Sequence, residues 1–123
     1  MAAIAKFVST LLNSRQQAHI FHWQEEGEGS EARHLALNTY YDEIIEHVDG
    51  LVESYQGRYG IIRGYDLNFR LREDNQPNIY FTALAKYVES TRKRLPQDSY
   101  IQNQVDEIVD LIETTNYKLN NLH

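Results

Sequence analysis

The run GRYGIIRGYDLNFRLREDNQPN, residues 57–78, decides how the rest of the chain is arranged. It holds three glycines and a proline. Its alternating piece, IIRGYDLNFRL, interrupts the three- and four-residue spacing of apolar residues found on either side. Two antiparallel helices need a connection of only about two to eight residues, and this one is far longer. It reads either as a small hairpin or as an irregular connection. Its length favours a crossover that lets the helix after it run parallel to the helix before it.

Upstream, Ile4, Phe7, Val8, Leu11, Ala18 and His22 recur on one helical face and predict α1 over about residues 3–26. The triplet GEG at residues 27–29 breaks the pattern, and Ser30 can cap the next helix through its hydroxyl. This helix, α2, is expected over about residues 30–56, with a core stripe of Leu35, Tyr41, Ile45, Val48, Val52 and Tyr55 and Gly57 as its stop. Downstream, α3 is expected over about residues 79–95, ended by Pro96. Ser99 with Gln102 has capping-box spacing and predicts α4 over about residues 99–120, its stripe being Val105, Ile108, Leu111, Ile112 and Leu119. No internal repeat occurs. The expectation is one domain, residues 1–123: an all-α four-helix bundle of ferritin-like topology, with the crossover at 57–78 between α2 and α3.

Composition narrows the chemistry. Hydrophobic residues make up 41% and charged residues 24%, a globular balance. With no cysteine in the chain, disulfides, thiolate nucleophiles and thiolate metal sites are excluded, leaving His, Asp and Glu as the strong metal ligands. Imidazole with carboxylate suits iron, manganese or zinc. The opening MAAIAKFVSTLLNSRQQ reads as helix and not as a signal segment, and no run approaches the roughly 18 apolar residues of a membrane span. A cytoplasmic protein without membrane contact is the expectation. The formal charge of -6 disfavours a broad nucleic-acid face, since phosphate binding depends on Lys and Arg.

The histidines are unevenly spread: His19, His22 and His34 of the five cluster around the Gly-rich break. If α1 and α2 form a hairpin turning near residue 28, His22 and His34 are equally far from the turn and face one another, so that they can share an ion. The plain alternative is that each caps carbonyls or packs half-buried. Asp49 and Glu53, four residues apart, share a face of α2 beside its apolar stripe. Their plain alternative is a solvated face or an ion pair. His34 and Asp49 are fifteen residues apart on one helix, about 22 Å along its axis, too far to share an ion within one chain. A two-fold dimer with antiparallel packing brings the His pair of one subunit to the acid pair of the other. Glu89, Asp106, Asp110 and Glu113 of α3 and α4 have no helical histidine partner and read as solvated faces.

At these residues the chain resembles the mini-ferritins called Dps. The resemblance is carried by His22-Trp23 near the end of α1, His34 twelve residues after His22, Asp49 and Glu53 four apart in mid α2, and the text EHVDGLVES at 46–54. The family's chemistry is then implied. His22, His34, Asp49 and Glu53 would be the catalytic iron ligands of a site shared between two-fold-related subunits, holding up to two Fe(II) and oxidising them with peroxide or oxygen. Glu53 would bridge the metals, Trp23 would neighbour the site, and His19 and His47 would lie behind the ligands. Tyr40 and Tyr41 could take up stray oxidising equivalents. Members of that family store the ferric product in a shell of twelve subunits. Here α3 and α4, which build the shell contacts, are abbreviated, and a two-fold homodimer is the assembly the site itself requires. Lys6 is the one cation before Arg15, so DNA binding through a basic tail is not expected. Two alternatives stay open. One is a zinc- or manganese-binding ferritin-like protein without redox turnover; the other is a structural or interaction bundle whose site is unused.

Overall fold

The computed structural model describes residues 3–121. Its four α-helices are α1 (Ala3–Gln24), α2 (Ser30–Tyr59), α3 (Pro77–Thr91) and α4 (Ser99–Asn121), with a single 3-10 turn, Arg92–Arg94, after α3. No strand forms among the described residues, so the hairpin alternative for residues 57–78 falls away.

Each boundary has a local cause. The first helix stops at Gln24, short of Glu26, and Gly27 and Gly29 then take φ of 87° and 78°, left-handed values that cost glycine little. Ser30 is not the cap expected of it. Gly29 occupies the N-cap without a side-chain bond, and Ser30 is the first helical residue, its N–H donating to the Gly27 carbonyl at 3.2 Å. The expected stop at Gly57 is also corrected: α2 runs on through it to Tyr59. The stop is Gly60, whose φ of 95° turns the chain while its N–H donates to the Gln56 carbonyl at 3.0 Å. The third helix starts at Pro77, earlier than residue 79, because a proline in the first turn gives up a donor that has no partner there anyway. It ends at Thr91, not at residue 95. The capping box at Ser99 does not form; the Gln102 side chain turns away to the Arg92 and Pro96 carbonyls, both at 3.0 Å, and α4 reaches Asn121.

The bundle is built from antiparallel neighbours. Ser14 and Tyr40 hydroxyls bond at 2.7 Å across α1 and α2, and Gln104 donates to Ser54 at 2.7 Å across α4 and α2. Between α3 and α4, Asn116 of α4 donates to Thr82 of α3 at 2.9 Å, and Arg92 just after α3 donates to Asp106 of α4 at 2.5 Å. Aromatic pairs join α1 to α3: Phe7 with Tyr87 at 6.2 Å and Phe21 with Tyr80 at 5.8 Å. The core between them includes Phe7, Leu11, Phe21, Leu37, Tyr40, Ile44, Leu51, Phe81, Ile101, Ile108 and Ile112, all fully buried. All five residues expected on the α4 stripe are buried, whereas α2 uses a different stripe from the one expected: Leu37, Tyr40, Ile44, Val48 and Leu51. Of the expected set only Val48 is in the core. Leu35 is 64% exposed, and Tyr41, Ile45, Val52 and Tyr55 are half-buried.

Residues 60–76 lie along α1 as a strap held by side chains. The Ser9 hydroxyl accepts from the Asp66 N–H at 2.9 Å. Asn13 accepts from the Arg70 N–H at 2.8 Å and donates back to its carbonyl at 3.3 Å, and Gln17 does the same with Arg72 at 2.7 and 2.9 Å. Four-residue spacing puts Ser9, Asn13 and Gln17 in one row on α1, so their side chains serve the strap as a neighbouring strand would. Gln17 is fully buried. Gln17→Leu keeps the volume but orphans a donor and an acceptor, and should cost about 1–3 kcal/mol in urea unfolding, with helicity retained.

Candidate metal centre

The hairpin brings His22 and His34 together: their ring centroids are 3.4 Å apart. The His22 Nδ1 lies 2.9 Å from the His34 backbone oxygen. A carbonyl can only accept, so Nδ1 carries the hydrogen, and in the neutral ring Nε2 then has the free lone pair. Metal-binding histidines are commonly held this way, by a second ring nitrogen donating to a carbonyl. His22 is half-buried and His34 exposed, so the pair opens on solvent.

His19 packs behind them. Its ring lies tilted against Trp23 at 4.2 Å, stacks on Tyr41 at 4.3 Å, and is 6.1 Å from His22. Burial and then the neighbouring His22 hold its pKa below the ordinary histidine value. Tyr41 packs against both histidines, its ring centroid 5.5 Å from that of His22 in an edge-to-face arrangement. Tyr41 also receives Arg15 Nε on its carbonyl at 3.1 Å, and donates its hydroxyl to Asn38 at 2.5 Å. Tyr40, by contrast, points into the core, where burial raises its pKa far above the usual phenol value.

The acid pair lies elsewhere. Because α2 is continuous from Ser30 to Tyr59, Asp49 is about 22 Å along the axis from His34. Asp49 and Glu53 are exposed, and neither forms an ion pair among the described residues. They stand at the rim of an open apolar groove of about 450 Å³ whose walls include Val8, Leu12, Ile45 and Val52 from the helices and Tyr65, Leu67 and Phe69 from the strap. His47 does not join them; at 100° per residue it sits about 200° around α2 from Asp49. Among the described residues no three His, Asp or Glu side chains converge on one point. Each chain thus carries two separate pairs of side chains, imidazole at one end of α2 and carboxylate at its middle.

Sequence reading passed over the strap as a wall of this groove. The signal was present as the row of Ser9, Asn13 and Gln17, short polar side chains on a helix face otherwise flanked by core.

No helix among the described residues is long and apolar enough to cross a membrane. No curated protein and no solved structure matches the chain. A protein-family model does match, over residues 28–119, about three-quarters of the sequence; the matched span takes in His34, Asp49 and Glu53 and begins after His22. The chain belongs to this family, described as a family of unknown function, DUF5856.

Proposed function

We propose that this protein is a ferritin-like bundle of the Dps kind that binds Fe(II) and oxidises it at a site shared between two-fold-related copies. The observation that carries the reading is the His22–His34 pair, with His22 Nδ1 held by the His34 carbonyl, which leaves Nε2 of the neutral ring as the free ligand atom. Asp49 and Glu53 supply the complementary half. They are exposed, without an ion pair among the described residues, and one helical turn apart, a spacing that suits two carboxylates on one cation pair. The donor set fits iron as substrate: neutral imidazoles hold Fe(II) without excess charge, and hard carboxylate oxygens favour the Fe(III) product. Each of two Fe(II) gives one electron to a hydrogen peroxide molecule, which with two protons leaves as two waters. The protein's part is to hold both ions at one place and let a two-electron acceptor be reduced in one encounter.

The ferritin-like topology is supported by the neighbour contacts. In α1/α2 and α3/α1, and in α2/α4 and α4/α3 when Asp98 and Arg92 just outside the helices are counted, contacts pair rising numbers on one helix against falling numbers on the other. This order makes α2 and α3 parallel, and residues 60–76 their crossover.

The test is an anaerobic Fe(II) titration of metal-free protein followed by peroxide. Ferric absorbance should rise well above the protein-free rate, with about two Fe(II) consumed per peroxide. If Fe(II) binds no more tightly than to buffer and oxidation is not accelerated, the reading is wrong. Tight zinc or manganese binding together with unaccelerated iron oxidation would move the site to a non-redox role.

A further inference from the structure

The strap leaves one edge of its backbone without partners. It runs without a bend from Ile61 to Glu73, and its bonded N–H groups all belong to even-numbered residues: Ile62, Asp66, Asn68, Arg70 and Arg72. In extended backbone the N–H and C=O of one residue point to the same side, and those of the next residue to the opposite side. Arg70 and Arg72 turn both groups inward, to Asn13 and Gln17. The N–H groups of Leu67, Phe69 and Leu71 therefore face away from α1, and they have no acceptor among the described residues. Side chains alternate too: Tyr65, Leu67 and Phe69 wall the apolar groove, while Asn68 and Arg70 line a polar cleft with Lys6 and Thr10. Leu67 is 88% exposed. Proteins ordinarily blunt such an edge with charge or proline, and neither stands at position 65, 67, 69 or 71.

We infer that this edge pairs with the same edge of a second copy, strap against strap and antiparallel about Asn68, making a two-stranded ribbon carried on the two α1 helices. The stretch YDLNFRL, residues 65–71, is complementary to itself when reversed. With Asn68 facing Asn68, Leu67 meets Phe69 and Tyr65 meets Leu71, apolar against apolar. Asp66 meets Arg70, and beyond Gly64 the next charges, Arg63 and Glu73, also meet as opposites. Within one chain Asp66 and Arg70 already pair at 2.9 Å, but both are exposed, so exchanging partners costs little. The backbone agrees with this register, because it sets odd residues against odd residues and so joins free N–H groups to free carbonyls. Sliding one strand by two residues destroys the match: one way Arg63 meets Leu71 and Arg72 meets Ile62, the other way Glu73 meets Tyr65. A lone two-stranded ribbon is marginal in water, and here each strand is held in place beforehand by Ser9, Asn13 and Gln17. The pairing uses neither histidine nor Asp49 or Glu53 and stands apart from the shared-site reading.

The chain has no cysteine, so an engineered one reports contact without background. Residues 68 of the two copies form a pair without backbone hydrogen bonds, with Cα atoms about 4.5 Å apart, inside the roughly 4.4–6.8 Å that a disulfide spans. Asn68→Cys, kept metal-free with a chelator and oxidised, should give a covalent dimer at least about ten-fold faster than Glu107→Cys, an exposed position on α4 that sets the rate of chance collision. Charge reversal fixes the register. Asp66→Arg in the Asn68→Cys chain sets Arg against Arg, and Arg70→Asp sets Asp against Asp, so each alone should cross-link about ten-fold more slowly. An equal mixture of the two restores both opposite-charge pairs and should cross-link at the original rate, with one chain of each kind in the product by mass spectrometry.

Asn68→Cys cross-linking no faster than Glu107→Cys at high micromolar concentration overturns the proposal and leaves the edge to an extended segment of another protein. A mixture that cross-links no faster than its two components overturns it as well, and because the mixture restores only the contact between chains, recovery excludes misfolding of either variant. Iron oxidation without the cross-link removes the strap pairing alone, and the cross-link without iron oxidation removes the ferroxidase reading alone.

Discussion

Neither His34→Ala nor Asp49→Ala should accelerate Fe(II) oxidation, yet an equimolar mixture of the two, dissociated and reassembled, should regain about a quarter of the wild-type sites. The arithmetic follows from where the donors lie. With about 22 Å of continuous helix between them, His34 and Asp49 of one chain cannot meet at one ion. In a two-fold dimer each site takes its imidazoles from one copy and its carboxylates from the other. A mixed dimer then has one site with both defects and one with neither. Random assembly makes half of the dimers mixed, and half of their sites intact. A site wholly inside one chain gives no recovery, because every chain in the mixture is defective. Mass spectrometry of the mixture confirms that mixed dimers exist, and no recovery in their presence would sink the shared-site reading. Stability should hardly change in either variant, since His34 and Asp49 are both exposed.

The largest effect on the fold should come from Phe81→Ala. Phe81 is fully buried where α3 meets α2, its ring 4.7 Å from Tyr40 and 5.5 Å from Tyr80. Truncation removes the transfer free energy of the benzyl group and leaves a hole that two rigid neighbouring rings cannot close. The cost should be about 3–5 kcal/mol, a large share of the roughly 5–15 kcal/mol that holds a domain of this size together. Thermal or urea unfolding followed by circular dichroism reads it directly. Tyr40→Phe is the contrasting case. It deletes only a hydroxyl, and Ser14 keeps its other bond, to the Leu11 carbonyl at 2.6 Å. No buried group is orphaned, so about 0.5–1.5 kcal/mol is expected. If Tyr40→Phe proved as costly as Phe81→Ala, the hydroxyl pair would matter more to the core than ring packing does.

Periodicity located all four helices, and for α4 it also named the buried side correctly, because that helix has a single apolar stripe with acids and amides opposite. In α2 the same signal was double. Apolar residues occupy two adjacent arcs, and spacing alone does not say which one the bundle buries. Packing against α1 and α4 selected Leu37, Tyr40, Ile44 and Leu51 and left Tyr41, Ile45 and Val52 half-open. The adjacency of His22 and His34 was legible by counting outward from the turn, since an antiparallel helical pair brings equal distances side by side. The bond that sets the His22 tautomer was not, because it goes to a backbone carbonyl, which any residue at position 34 would supply.

Helix ends show the same division. Glycine can end a helix only where the chain needs a left-handed φ, and residue type does not say which glycine will be used: Gly57 stays helical and Gly60 turns. The strap was readable as a long connection, but its course along α1 depends on Ser9, Asn13 and Gln17 reaching backbone groups more than fifty residues away. By itself, then, the sequence determined that the chain is all-helical, where its four helices lie, and that imidazole and carboxylate donors sit on α1 and α2 too far apart to meet in one copy. Those are local consequences of spacing along the chain. Only the tertiary structure decided which apolar face of α2 is core, where the strap lies, and that an open groove borders the two carboxylates. These are choices among competing long-range contacts, whose energies depend on which surfaces the other helices bring to them.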